Sequence, residues 1–499
     1  MKNYLSVLLF LFLFQSLSAQ VIEKAILKQS IMAANDLKDF VALPNDALNH
    51  EDIMKNIAWL DTEFSKRGFK TEILETSNEP LFFAELPKMA NAKTLLFYMH
   101  LDGQAVDPSK WDQADPYEVV LKAENDKGEW ETMDWSKIED FNPDWRMFGR
   151  ATADDKGPII MFLHAMDMLM NSDAVIRWNI KVLLDSEEEK GSRPLAAAVK
   201  QYKDKLKADF LMIHDGPMHL SGQPTMILGC RGITRVDLTV FGPVKAQHSG
   251  HYGNYAPNPV FRMSKLLSSM KDESGRVIIK GYYDGIELDE ETKKILAAVP
   301  DDEDAIFKNL GIAEAEKVGM NYQESLQYPS LNVRGINSGW VGDKARTIVP
   351  DQATAAIDIR LVPESDPEKL VQALKDHIRA EGYYITTSPP TEEERSIYPK
   401  ICQFNSAGAT LPFRTDINED FAQWLDKLMT ATHNRPPVKV RIMGGTVPIA
   451  AFINELEVPA IILPMVNADN NQHSPNENLK LAQIPYGIRT FLSLLVNRF

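Results

Sequence analysis

Cysteine is almost missing from this chain of 499 residues: Cys230 and Cys402 are the only two, and they lie far apart. That excludes a disulfide framework and a thiolate zinc finger. Positive charge is also short, with 54 Lys and Arg against 70 Asp and Glu and a formal net charge of −16. A chain this acidic lacks the basic face that neutralises a nucleic-acid backbone, which argues against general nucleic-acid binding. Small anionic ligands stay open, because they need only a local cluster. Past the first twenty residues no apolar run approaches the roughly 20 residues of a membrane span. There is no G-x-S-x-G elbow, and no P-loop or dinucleotide fingerprint follows a strand-like run. Fixed-period repeats and low-complexity tracts are absent too.

The remainder is ordinary globular composition, 44% hydrophobic and 25% charged. At about 150 residues per domain the length suits two or three compact units without disulfide staples. The amino terminus stands apart. Lys2 precedes an apolar run from Tyr4 to Phe14 and a small-residue exit, Ser16-Leu17-Ser18-Ala19-Gln20. This is the layout of a secretory signal peptide, expected at residues 1–19. An uncleaved anchor is the alternative, and no Cys follows the run to carry a lipid. The expectation is an exported enzyme, periplasmic or extracellular, with no membrane contact once the signal is removed.

From about Val21 to Lys70 the spacing is helical, with Ile53, Ile57, Leu60 and Phe64 at three- and four-residue steps. Apolar strand-like runs then alternate with helical stretches: Thr94–Met99, a helix over Pro158–Met170, Asn179–Leu184 and Phe210–Ile213. Alternation of this kind predicts an α/β layer with a mainly parallel sheet and flanking helices. After Gly229-Cys230-Arg231-Gly232 the pattern becomes α+β, with strands at Ile233–Phe241, Ser330–Asn337 and Ala353–Leu361 and helices at Pro257–Met270 and Asp366–Glu381. Ser388–Ala407 holds three prolines and the charge run TEEER and is expected to be a return linker. A helix near Glu419–Thr432, a strand at Pro459–Leu463 and a last helix at Leu479–Leu495 follow. The chain therefore divides into a first catalytic segment 20–231, a smaller inserted α+β domain 232–394, and a second catalytic segment 395–499.

In an open α/β sheet chemistry sits beyond the carboxyl ends of strands, and each candidate here falls there. His100 and Asp102 follow the first run, and Asp154-Asp155 opens a helix. Asp185 and Glu187-Glu188-Glu189 follow the third run, Asp215 the fourth, and His473 comes soon after IILPM. Each alone has a plainer reading: a packed histidine, a solvated acidic turn, or acids complementing a helix dipole. Five such groups at successive strand ends are harder to explain as capping. Imidazole and carboxylate without thiolate suit zinc or another borderline divalent ion.

The order and flanks of these groups resemble the M20 metallopeptidase family, in particular its carnosinase-like dipeptidase branch. The motifs are HLDGQAVDP, GRATADDKGP, SEEEKGS, HDGP, HSGHYGNYAPNP, RTIVP, DIRLVP, MGGTVP and HSPNENL, spread over nearly the whole chain. The resemblance implies two zinc ions per chain, with manganese or cobalt as substitutes. Asp154 would bridge them, His100 and Asp215 completing one site and Glu189 and His473 the other. It also implies Asp102 as the carboxylate that orients His100, a cis peptide between Asp154 and Asp155, and Glu188 as general base. The acidic triplet leaves a second register open, Glu187 as base and Glu188 as ligand. The inserted domain would be a lid and dimerisation domain, making the protein a homodimer. His248 would polarise the scissile carbonyl across that interface, and Thr347, Arg360, Gly445 and Thr446 would face the substrate's carboxylate end. A surface histidine and a salt-bridged arginine are the plainer readings of His248 and Arg360. His214, His219 and His251 are expected to be structural.

The implied activity is hydrolysis of dipeptides or short peptides, the small peptide being the partner that matters. The same centre would serve an N-acyl amino acid hydrolase, and a non-catalytic binding protein would keep the fold with a ligand or the base lost. No such position is lost here. The segments 124–144 and 287–316, both rich in acid, have no assigned role.

Overall fold

A computed structural model describes the backbone of residues 2–447 and 450–499 and the side chains from Gln20 onward, those of Ala451 and Asn454 excepted. The expected signal peptide at 1–19 lies outside the described side chains. The chain forms two compact units. One comprises Met1–Leu228, Thr415–Val438 and Ala451–Phe499, the other Gly229–Arg414 and Lys439–Ala450.

The first unit is built on an eight-stranded sheet. Its order is Lys70–Leu74, Leu81–Glu85, Asn179–Asp185, Thr94–His100, Phe210–Ile213, Ala460–Ile462, Thr225–Ile227 and Val438–Val440. The four strands from Asn179–Asp185 to Ala460–Ile462 run parallel, and the strands on either side of them join antiparallel. The central strands are apolar and almost wholly buried, as strands covered on both faces must be. Helices Lys2–Val41, Lys156–Met170 and Gln483–Val496 supply one core with them. Phe162 of the second helix lies 5.3 Å from Phe97 of the sheet and 5.3 Å from Phe491 of the third. Full burial of such a side chain contributes roughly 1.5–3 kcal/mol. Helix His50–Lys66 buries the predicted Ile53, Ile57, Leu60 and Phe64.

The parallel strands point their carboxyl ends to one edge. His100 and Asp185 are the last residues of their strands, and Asp215 stands two positions beyond Ile213. A second, four-stranded sheet runs Asn478–Lys480, Arg146–Phe148, Val120–Glu124 and Trp130–Met133. It takes in part of the 124–144 segment, Trp130–Met133, and pairs the strand after His473 antiparallel with the strand before Asp154. The predicted final helix consequently starts later, at Gln483, because Asn478–Lys480 is a strand.

The second unit holds a five-stranded sheet, Asn332–Asn337, Gln352–Leu361, Gly232–Phe241, Ile401–Ser406 and Tyr384–Thr386. Helices Pro259–Ser268 and Pro367–Ala380 cover it, burying Met263, Leu266, Leu370, Leu374 and Ile378 against Val236, Leu238 and Ile357. Here the expected linker is corrected. Ser388–Ala407 contains a helix, Glu392–Ile397, capped by a Thr391–Glu394 box, and the strand Ile401–Ser406, which pairs with Gly232–Phe241. The unit therefore runs to Arg414 rather than 394, and it also takes in 439–450. The acidic 287–316 segment forms helices Glu290–Ala297 and Glu303–Leu310, with Asp289 and Asp302 as N-caps and further acids in each first turn. Those charges complement the helix dipoles.

Candidate metal centre

Asp154 occupies the middle of the cluster, one carboxylate oxygen turned to each histidine. Its Oδ1 lies 2.9 Å from His100 Nε2, and its Oδ2 lies 3.2 Å from His473 Nε2. His100 Nε2 is also 3.9 Å from Asp215 Oδ1, and His473 Nε2 is 3.1 Å from Glu189 Oε2. Two triplets result, His100–Asp154–Asp215 and Asp154–Glu189–His473, with the donor atoms of each within 4.8 Å of one another. Ligands bonded at about 2.1 Å on a tetrahedral zinc stand about 3.4 Å apart, which these spacings bracket.

The electrostatics ask for cations. Asp154, Asp215 and Glu189 form ion pairs with the two histidines alone among the described residues. Glu189 Oε1 is buried with no hydrogen-bond partner. Burial pushes Asp215 up to about 6, and burial with the nearby Asp215 charge pushes Glu188 well above the carboxylate range. Asp154 is buried as well, yet the two imidazoles hold it low, while Asp154 and Glu189 push His473 up to about 10. Divalent ions would relieve the excess of negative charge. Two imidazoles and three carboxylates without sulfur fit zinc or a similar ion.

Local structure sets each donor. His100 Nδ1 faces the main-chain oxygen of Asp102 at 3.1 Å, nearer than that residue's carboxylate at 3.4 Å. The Asp102 carboxylate also accepts the main-chain N–H groups of Glu188 and Glu189. With Nδ1–H donated to a carbonyl, the Nε2 lone pair is left toward Asp154. The peptides Asp154–Asp155 and Arg150–Ala151 are both cis. Glu187 is fully buried and fully engaged: Oε2 accepts from Asn78 Nδ2 and from Glu79 N–H at 3.3 Å, and Oε1 accepts from Arg193 N–H and Nε–H at 3.2 and 3.3 Å. Glu189 lies in the second donor triplet, with Glu188 beside it.

The remaining candidates lie in the second unit. His248 is exposed, its Nδ1 accepting the Gly250 N–H, and strand Gln247–His248 pairs with Ile348–Val349 next to Thr347. Arg360 Nη1 donates to Thr446 Oγ1 at 2.7 Å, Thr446 donates to the Arg231 carbonyl, and Gly445 O accepts the Arg231 N–H. His214 packs against Phe97 and Phe491, His219 bonds Ser221, and His251 lies 4.8 Å from His248. Sequence reasoning passed over Arg150 and Glu477, a buried pair at 2.8 Å beside Asp154. Both stand inside quoted motifs, but nothing local marks them as partners.

The profile of Peptidase family M20/M25/M40 matches residues 96–497. The chain belongs to this family. It is thus a peptide-hydrolysing enzyme, and the shared Asp154 agrees with a dinuclear metal centre. The chain is similar to the Beta-Ala-His dipeptidase of Mus musculus, 22% identical with 92% of this chain and 91% of the relative covered. It is also similar to the Cys-Gly metallodipeptidase DUG1 of Candida albicans, 25% identical over 94% of this chain and 92% of the relative. Among solved structures, the M20 metallo-carboxypeptidase Sso-CP2 of Sulfolobus solfataricus superposes with a TM-score of 0.73 at 28% identity, covering 92% of this chain and 98% of that one.

Proposed function

We propose that this M20 enzyme hydrolyses dipeptides with two zinc ions and Glu188 as general base. The observation that carries the reading is the single carboxylate, Asp154, shared by two donor triplets with Glu188 beside them. His100, Asp154 and Asp215 would hold one ion, and Asp154, Glu189 and His473 the other. When bound, such a pair supplies electrophilic activation of the carbonyl and acidifies water. Glu188, whose carboxylate has no hydrogen-bonded partner among the described residues, takes the proton of the attacking water. It then returns that proton to the leaving amine as the C–N bond breaks, a function worth about 10²–10⁴-fold. Asp102 fixes the main chain of Glu188 and Glu189 while this happens.

Dipeptides are favoured because the two sequence relatives above, covered to 91% and 92% of their length, are named dipeptidases. In the second unit Arg360 forms no ion pair among the described residues, which suits a guanidinium kept for a free carboxylate, with Thr446 holding it in place. Pairing of two copies belongs to the same proposal, supported by the edge strand Asn332–Asn337, exposed along its whole length. Export of the chain is supported by the signal-like composition of residues 1–19. The test is metal analysis of the purified protein with a dipeptide panel and an N-acetyl amino acid panel, each before and after chelation. Turnover of dipeptides that chelation abolishes is expected; turnover of acylated amino acids alone overturns the substrate reading.

A further inference from the structure

The bridging aspartate and His473 come from loops more than 300 residues apart in sequence, and one buried ion pair ties the two loops together. Glu477 is fully buried and Arg150 nearly so. Glu477 Oε2 pairs with Arg150 Nη1 at 2.8 Å, while its Oε1 accepts the main-chain N–H of Ala153 at 2.9 Å and of Asp154 at 3.0 Å. Arg150 in turn donates from Nη2 to the carbonyl of Ser474 at 3.1 Å, next to His473. Each loop thus supplies a side chain that grips the other's backbone. The short ladder Asn478–Lys480 on Arg146–Phe148 and the Gly149 N–H to Glu477 carbonyl bond extend the seam to both sides.

The His473 loop needs such a hold. Asn471, His473 and Asn476 all sit at left-handed φ of 57–61°, a conformation that surroundings must impose on residues other than glycine. None of the gripping atoms is a metal donor. The seam is made of protein groups alone, with its Arg150–Glu477 pair buried.

We propose that Arg150 and Glu477 form a latch that sets Asp154 and His473 in ligand geometry before metal arrives. They are positioning residues: they touch neither substrate nor metal and act through the backbone of the residues that do. The proposal rests on the two-metal reading above, and it gives the four-stranded sheet that includes part of 124–144 a purpose, holding the seam's strands in register.

Hydrogen exchange of the full-length protein, followed by mass spectrometry with zinc and after chelation, tests it without any variant. Slow exchange at 149–154 in both forms is expected. Exchange at open-loop rates in the chelated protein overturns the latch. Zinc affinity, measured by competition with a chromophoric chelator, gives the second readout. Glu477→Gln removes the charge but keeps an oxygen for the two amides, and Arg150→Lys keeps the charge but cannot reach both Glu477 and Ser474. Each is expected to weaken zinc binding by about 10–100-fold. Affinity within twofold of the wild type in a folded variant overturns the proposal. Arg150→Lys carries this arm where Glu477→Gln fails to fold. A wild-type protein that binds no divalent ion sinks the two-metal reading instead, an outcome the exchange measurement keeps separate.

Discussion

The Asp102 carboxylate accepts the main-chain N–H of Glu188 with one oxygen, at 3.0 Å, and that of Glu189 with the other, at 3.1 Å. One side chain thereby ties the loop after the His100 strand to the loop that carries the acidic pair. Asp102→Asn keeps one acceptor and turns an NH2 group against the second N–H, so one of the two loop bonds is lost. The expected result is a fall in kcat and in zinc affinity of about 10–100-fold each. Steady-state kinetics together with chelator competition check it; unchanged values for both would separate Asp102 from the centre.

Glu187 and Glu188 are adjacent carboxylates with opposite surroundings, and their amide variants should differ accordingly. Glu188→Gln is expected to bind metal with an unaltered unfolding midpoint and to lose about 10²–10⁴-fold in kcat. Glu187→Gln disturbs a carboxylate that bonds Asn78, Glu79 and Arg193, and should cost about 1–3 kcal/mol of stability. Parallel kinetics and urea unfolding distinguish the two. The reverse pattern would restore the register in which Glu187 is the base.

The five candidate ligands were legible because each follows an apolar, strand-like run or precedes a helical one. Strand ends are where a parallel sheet exposes side chains. Ile401–Ser406 was not legible: Pro389, Pro390, Pro399 and the charge run that precede it look like a connector, and only pairing with Gly232–Phe241, far away in sequence, makes it a strand. The same holds for residues 439–450, which join the second unit through contacts such as Arg231 N–H to the Met443 and Gly445 carbonyls. Glu477 and Arg150 act on the backbone of distant loops, a role that leaves no periodicity to read.

Chelation should destabilise the first unit as well as silence it. Asp154, Asp215, Glu188 and Glu189 crowd one buried space in which, among the described residues, two imidazoles pair with them. Removing the ions leaves that repulsion to the two imidazoles alone. Zinc present at 100 times its dissociation constant would contribute about 2.7 kcal/mol to the folded form. Differential scanning calorimetry is expected to show a transition several degrees lower after chelation, recovered with added zinc together with activity. An unmoved transition and surviving turnover would remove metal from the site.

His433 sets a separate pH limit on the first unit. It closes helix Asp420–His433, with Nε2 2.9 Å from Thr490 Oγ1 and its ring stacked 4.4 Å from Tyr486. A helix carboxyl end favours a charged imidazole, but burial, aided by the Arg489 charge, wins and holds the group down to about 4. Thr490 Oγ1 donates to the Tyr486 carbonyl, so its lone pair takes the Nε2–H of the neutral ring. The unfolded chain binds a proton near pH 6.5 and the folded one only near 4, so this contribution is complete above about pH 6.5 and drains away as pH falls to 4. The slope is at most about 1.4 kcal/mol per pH unit. His433→Gln keeps a donor for Thr490 without a titrating ring, and should flatten the urea-unfolding stability profile between pH 6.5 and 4. Equal slopes in the two proteins would show that His433 is protonated alike in both states.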